Sequence, residues 1–498
     1  MSRVASLSLP FLPFLALAAC GDNLEGVPDT IEPESVYAAR CVSPRKGIDP
    51  FTGEDYADVK GSALDEKLWL RSWTDDLYLW YHEVPNANVQ SFATALDYFD
   101  VLKTTATTAS GKPKDQFHFT YTTTDWVALS QSGTEASYGV QWALLSRVPP
   151  RKLVVADVEP GSPGEMAGMT RGTTVTTIDG ADLVASNDTD TLNKGISPAA
   201  AGEKHSFTII DRGGGAPHSI TMTSANITSV PVRNLALPAP NDKIGYLLFN
   251  DHIATAEKAL FNEITKLRDA HITDLVLDLR YNGGGYLDIA AQLAYMIAGP
   301  TATAGKTFER ESFNDRHQTV DPFSGQPLTP TPFVDQTLGF SQPRGQALPH
   351  LDLPRVFVLT GSGTCSASEA VMNGLAGADI DVIQIGATTC GKPYGFFPED
   401  NCGITYFSIQ FQGVNQKGFG DYADGFVPGG KLHGCVVADD FTHAIGDPAE
   451  ARLAAALAYR ATGACPAAPA AARTADPLSA VEGQLVKPLW RQNRIMRR

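Results

Sequence analysis

The 498-residue sequence has little of what marks several large protein classes. Basic residues are the minority, 39 Lys and Arg against 55 Asp and Glu, for a net charge of −16. So acidic a chain is a poor electrostatic partner for nucleic acid, and the basic ending RQNRIMRR reads as a solvated tail. There is no C-x-x-C pair and no H-E-x-x-H, so zinc lacks its usual ligand spacing and neither a metal site nor a cofactor is expected. Beyond the first twenty residues, no apolar run is long enough to cross a membrane. What remains is an ordinary globular composition, 43% hydrophobic and 19% charged, in a chain long enough for two to four domains with sizeable cores.

The N-terminus sets the compartment. Arg3 precedes a largely apolar run that ends in Leu17-Ala18-Ala19-Cys20. The run is too short and too Pro-interrupted for a membrane-spanning helix but suits an export signal. Small residues directly before a cysteine resemble a bacterial lipobox. That implies a signal peptide over 1–20, lipidation of Cys20, and a protein anchored by lipid in the bacterial envelope, facing the periplasm. Six cysteines remain, at 41, 365, 390, 402, 435 and 465, an even number that suits disulfides in an oxidising space.

Composition and periodicity divide the rest. Residues 21–40 are a polar, acidic linker. Residues 41–134 read as a helical N-terminal region, with apolar and aromatic residues at helical spacing from about Leu64 to Lys103, as in LDEKLWLRSWTDDLYLWYHEV. Residues 135–228 read as short strands between Gly/Pro turns, with GSPGEMAGM a short helix. From 229 to 466 strand and helix alternate. DLVLDLR leads into NGGG and then a helix, and PRVFVLT leads into GTCSASEAV, a helix and DIDVIQIG. This is βαβ logic and implies a mostly parallel sheet. Residues 467–498, beginning with AAPAAARTADP, read as a disordered tail.

GTCSASEAV alone reads more readily as a helix N-cap than as a nucleophile. The wider pattern decides between the two. Val155 to Pro163, Ala167-Gly168-Met169 and Ile178-Asp179-Gly180 resemble a PDZ domain. In that family Tyr138-Gly139-Val140 would capture a peptide's terminal carboxylate, the peptide adding as a strand to a sheet edge. Leu277 to Gly285, then Ser366-Ala367-Ser368-Glu369, then Gly391-Lys392-Pro393 follow in order. Together these resemble the carboxyl-terminal processing, or tail-specific, serine proteases, related to the tricorn core protease. The resemblance implies a ClpP/crotonase-like α/β protease core with a small helical N-terminal region and an inserted PDZ domain. It also implies cleavage of proteins or peptides with a free, unstructured C-terminus. Ser366 would be the nucleophile and Lys392 its base, with the N–H groups of Ala367 and of Gly284 or Gly285 forming the oxyanion hole. The alternative in the same fold is a catalytically inactive peptide-binding envelope lipoprotein.

Two departures bear on that assignment. The family's glutamine four residues after the lysine is here Phe396. His118 could serve as base in a tricorn-like mechanism, although its neighbours Phe117 and Phe119 suit a core histidine. A disulfide between Cys390 and Cys402 would pin the lysine's loop in the absent glutamine's place. Cys435 with Cys465 is the second expected pair, leaving Cys41 and Cys365 unassigned. Burial among Tyr394, Phe396 and Phe397 would give Lys392 the lowered pKa that a base needs.

Overall fold

The computed structural model of the chain describes residues 27–28, 30–49, 52–235, 237, 243–467, 483–486 and 494–496. Cys20, the apolar leader and most of the tail lie outside the described residues.

The helical region is built on α1 (Ala63–Leu77), whose N-cap Ser62 and N3 residue Asp65 form a reciprocal capping box. Its apolar face buries Trp69 and Trp73, stacked at 5.6 Å, against Phe99 and Tyr406. Tyr406 belongs to Ile404–Phe407, a strand paired with Phe119–Thr122, so this region is stitched into the α/β half by a shared sheet. The Cys41–Cys402 disulfide, closing a sequence separation of 361, fastens the same junction.

A β unit follows. It includes β1 (Val140–Ser146), β2 (Lys152–Val158) and a helix α2 (Thr189–Ile196). β1 pairs antiparallel with β2, and the sheet continues through Thr174–Ile178 and Lys204–Ile210 to His218–Thr223. Trp142, Val155, Ile178 and Phe207 fill its own core.

The α/β core is a six-stranded sheet. Its order is Val232–Leu235, β3 (Ile244–Phe249), β4 after the helix α3 (Ala256–Asp269), β6, β7 and His433–Val436. β4 is Asp274–Asp278. The short strand β5 (Gly284–Tyr286) and the helix α4 (Leu287–Thr303) come next in the chain. β6 is Arg355–Thr360, α5 is Ala367–Gly377 and β7 is Asp381–Gly386. All pairs except the first are parallel. β3, β4, β6 and β7 are apolar on both faces, as a sheet covered by helices on each side requires. The chain turns over the carboxyl ends of β4 and β6 into the triple glycine and Ser366, where such sheets place their sites.

The tail departs from the disordered reading at two places. β8 (Gln484–Val486) adds antiparallel to β1, and β9 (Arg494–Met496) pairs parallel with β5.

Candidate active site

Ser366 caps α5 with φ 60° and ψ −120°, a region a side chain enters only when its surroundings force it. The surroundings are visible. The Cys365 N–H is held by the Asn282 carbonyl at 3.1 Å, and the Ser366 N–H donates to Glu369 Oε2 at 3.0 Å. The hydroxyl itself is fully buried and has no hydrogen-bond partner among the described residues. It sits at the positive end of the helix dipole, and Ala367 occupies the first helical position, whose N–H an α-helix leaves without an internal acceptor.

Glu369 does more than cap. It is fully buried, and its two oxygens also accept from Thr389 Oγ1 at 2.5 Å, the Gly391 N–H at 2.9 Å and the Lys392 N–H at 2.8 Å. The amides of Ser366 and Lys392 therefore meet on one oxygen, Oε2. Burial pushes the carboxyl's pKa up, against the hydrogen bonds from Thr389, Lys392, Gly391 and Ser366, which favour its charged form.

A disulfide reinforces the same junction, joining Cys365 to Cys390. This corrects the expected Cys390–Cys402 pair. The loop after β7 returns to the start of α5, placing Cys390 beside Cys365, and Cys402 faces Cys41 instead. Cys435–Cys465 forms as expected.

Lys392 is fully buried. Its Nζ lies over the Phe396 ring at 4.0 Å and the Phe117 ring at 5.0 Å. The residue in the family glutamine's place thus offers a π face to the lysine. Of the other aromatics expected there, Tyr394 packs edge-on against Trp80, and Phe397 packs against Phe323 and Phe411. His118 belongs to the core of the helical region. It stacks on Phe99, its Nε2 lies 2.7 Å from the Phe99 carbonyl, and burial pushes its pKa down to about 4 against the pull of nearby Asp115.

The glycine turn is organised by Asn282. Its Nδ2 donates to the Phe249 carbonyl, so Oδ1 accepts from the Gly284 N–H at 2.9 Å and from His252 Nδ1 at 3.1 Å. The Gly284 N–H is therefore occupied. The Gly284 carbonyl and the Tyr286 N–H both turn toward the His252 backbone. By strand alternation, the polar groups of Gly285 face the opposite edge. Gly285 has φ 146°, and a Cβ there would meet the His252 carbonyl oxygen at 2.4 Å, so no other residue fits. His252 was not singled out from sequence. It is fully buried, burial holds it neutral with a pKa of about 3, and its Nε2 has no hydrogen bond among the described residues.

Charge fixes the β unit to this turn. Buried Arg171 bonds Asp439 at 2.7 Å and the Tyr281 hydroxyl at 2.5 Å, and Arg280 bonds Asp278, Asp439 and Glu450. Burial opposes charge on Asp439, but Arg171, Arg452 and Arg280 outweigh it and hold the carboxyl well below its usual range. In the Tyr138-Gly139-Val140 loop, Tyr138 is buried and the Gly139 N–H donates to Ser137 Oγ at 3.1 Å. That N–H must be released before it can hold a carboxylate.

Comparison with known proteins points to the same part of the chain. Residues 243–395 match the model of peptidase family S41. The matched segment covers less than half of the chain. That segment spans β3 through Lys392 and contains Asn282, Ser366 and Glu369. Two cyanobacterial proteins named carboxyl-terminal-processing protease are similar, one from Picosynechococcus and one from Synechocystis. Each is 28% identical over 242 residues, 47% of this chain and 49% and 47% of theirs. The chain thus spans about half the length of these relatives. A crystal structure of a candidate S41 protease from Bacteroides fragilis covers 80% of this chain and 97% of its own at a TM-score of 0.59 and 23% identity, a likeness of fold.

Proposed function

We propose that the chain is a serine endopeptidase acting on proteins or peptides with unstructured C-terminal tails. The observation that carries this reading is the single carboxylate oxygen of Glu369 holding the Ser366 and Lys392 amides side by side, with the Ser366 hydroxyl buried and without a hydrogen bond among the described residues. In this reading neutral Lys392 Nζ takes the Oγ proton as Oγ attacks the scissile carbonyl. The oxyanion meets the N–H groups of Ala367 and Gly285 at the N-terminus of α5, since the Gly284 N–H is engaged by Asn282. The leaving amine receives the proton from Lys392, and water then hydrolyses the acyl-serine ester. His118, tied to the Phe99 carbonyl and held neutral by burial, serves the core. The β unit acts as a PDZ domain that selects tails along β1 and α2. The three disulfides support an exported chain, which would be anchored in the envelope through Cys20.

The test is cleavage of casein and of tailed model substrates. Ser366→Ala and Lys392→Ala abolish it, and Lys392→Arg is equally inactive because a guanidinium cannot give up its proton. Turnover surviving in Lys392→Arg defeats the assignment. The second reading, a peptide-binding lipoprotein without catalysis, draws on Phe396, whose π face favours the charged lysine that a base must not be. It predicts tail binding that is unchanged in Ser366→Ala and no cleavage by either protein.

A further inference from the structure

We infer that the groove of the β unit and the glycine edge beside Ser366 hold two stretches of this chain's own C-terminal region, residues 483–486 and 494–496, as a resident competitor of substrate. The word substrate rests on the function proposed above. β8 lies on the free edge of β1, in register Gln484↔Leu144, Leu485↔Ala143 and Val486↔Trp142. It therefore runs toward the Tyr138–Gly139 loop, as a captured peptide would. Val486 packs against the β unit's core, and Leu485 packs beside Ala143, Tyr281 and Phe441, where the β unit meets the α/β core. Gly483 approaches so closely that a Cβ would lie 2.9 Å from the Ala143 side chain. A cavity lined by Trp142, Ile196, Gly283, Gly284 and Val486 leads from this strand to the glycine turn.

β9 completes the path. It pairs Gly284↔Arg494, Gly285↔Ile495 and Tyr286↔Met496, on the edge that the Gly285 polar groups face, and also packs beside Tyr394–Gly395 just after Lys392. Ser366 and Lys392 are both fully buried, so a substrate must displace something to reach them. In the tail, the groove segment precedes the site segment, the reverse of a substrate held by its free C-terminus. The tail is a plug rather than a substrate.

The test compares the full chain with Leu485→Asp/Val486→Asp. A groove self-occupied about nine-tenths of the time weakens substrate affinity about 10-fold. The variant should therefore lower KM for a tailed peptide about 10-fold with little change in kcat. A fluorescent peptide of residues 482–498 should bind the variant, in a Ser366→Ala background, about 10-fold more tightly than it binds Ser366→Ala alone. Should the double variant fail to fold, a chain cut after folding at a specific-protease site inserted between 468 and 482 gives the same readouts. Equal KM and equal peptide binding overturn the inference. Differential peptide binding without cleavage by any form leaves the plug standing and removes the peptidase reading. Cleavage with no differential binding does the reverse.

Discussion

The nucleophile turn and the groove of the β unit both hold an extended backbone in place, by opposite means. At the turn, Ser366, Thr389, Gly391 and Lys392 converge on one buried carboxylate, with the Cys365–Cys390 disulfide behind them. Nothing there can be exchanged without orphaning buried N–H groups, each costing roughly 1–3 kcal/mol. In the groove, β1 has a covalently distant partner, β8, and the loop's Gly139 N–H rests on a serine hydroxyl. Those bonds can be traded for equivalent ones. A catalytic pair needs fixed geometry and a binding edge needs replaceable partners, so the site is rigid where chemistry is proposed and exchangeable where peptide binding is proposed.

The largest break in that contrast is Glu369→Gln. It keeps the volume but presents an NH2 to backbone donors. We expect a loss of about 100-fold or more in kcat/KM and a fall in stability of roughly 2–4 kcal/mol, read by peptide hydrolysis and urea unfolding. A near-native kcat would show that the bridge does not hold the pair. Next is the disulfide. Cys365→Ser/Cys390→Ser should lower stability by about 3 kcal/mol for a loop of this length, and unreduced peptide mapping of the native chain should recover the 365–390 linkage. Recovery of 390–402 would return the expectation drawn from sequence.

Acid sensitivity is of similar size. Burial holds His118 and His252 neutral, with pKa values near 4 and 3, below the unfolded value of about 6.5. The unfolded chain therefore takes up protons that the folded chain refuses. Stability is constant above about pH 6.5 and falls as pH drops toward about 4, by roughly 3 kcal/mol for His118 alone. Urea midpoints at pH 7.5 and 4.5 should show the fall, and His118→Gln should lessen it. Midpoints that do not move with pH would contradict the buried neutral imidazoles. The smallest effect belongs to the groove. Ser137→Ala frees the Gly139 N–H and should change KM for a tailed peptide by about 2- to 5-fold with kcat intact, on the scale of one neutral hydrogen bond. A kcat effect equal to that of Glu369→Gln would erase the difference between the two regions.

Sequence carried the local features and missed those that depend on distant partners. The βαβ alternation, the glycine turn and Ser366 at a helix start are short-range patterns with fixed spacing, and the structure keeps them. Cys402 bonds a residue 361 positions away, which loop-closure reasoning about neighbouring cysteines cannot reach. Phe396 read only as a missing glutamine, because its contact with Lys392 depends on how the loop folds back. His252 sits in FNDHIAT without a motif, and only the Asn282 carboxamide reveals its fixed ring. Glu369 read as a helix cap, since three of its partners lie 20 to 23 residues later. Gln484-Leu485-Val486 follows a low-complexity run and is too short to announce a strand, so its place beside β1 was invisible until the groove existed.

The most direct test of the Ser366–Lys392 pair is labelling with a fluorophosphonate, followed by peptide mass mapping across pH 6 to 10. The native chain should acquire one adduct, on Ser366, at a rate that rises with pH, and Lys392→Arg should react at least about 100-fold more slowly at every pH, the scale of a lost general base. Equal labelling of native chain and Lys392→Arg, or an adduct on another serine, would contradict it.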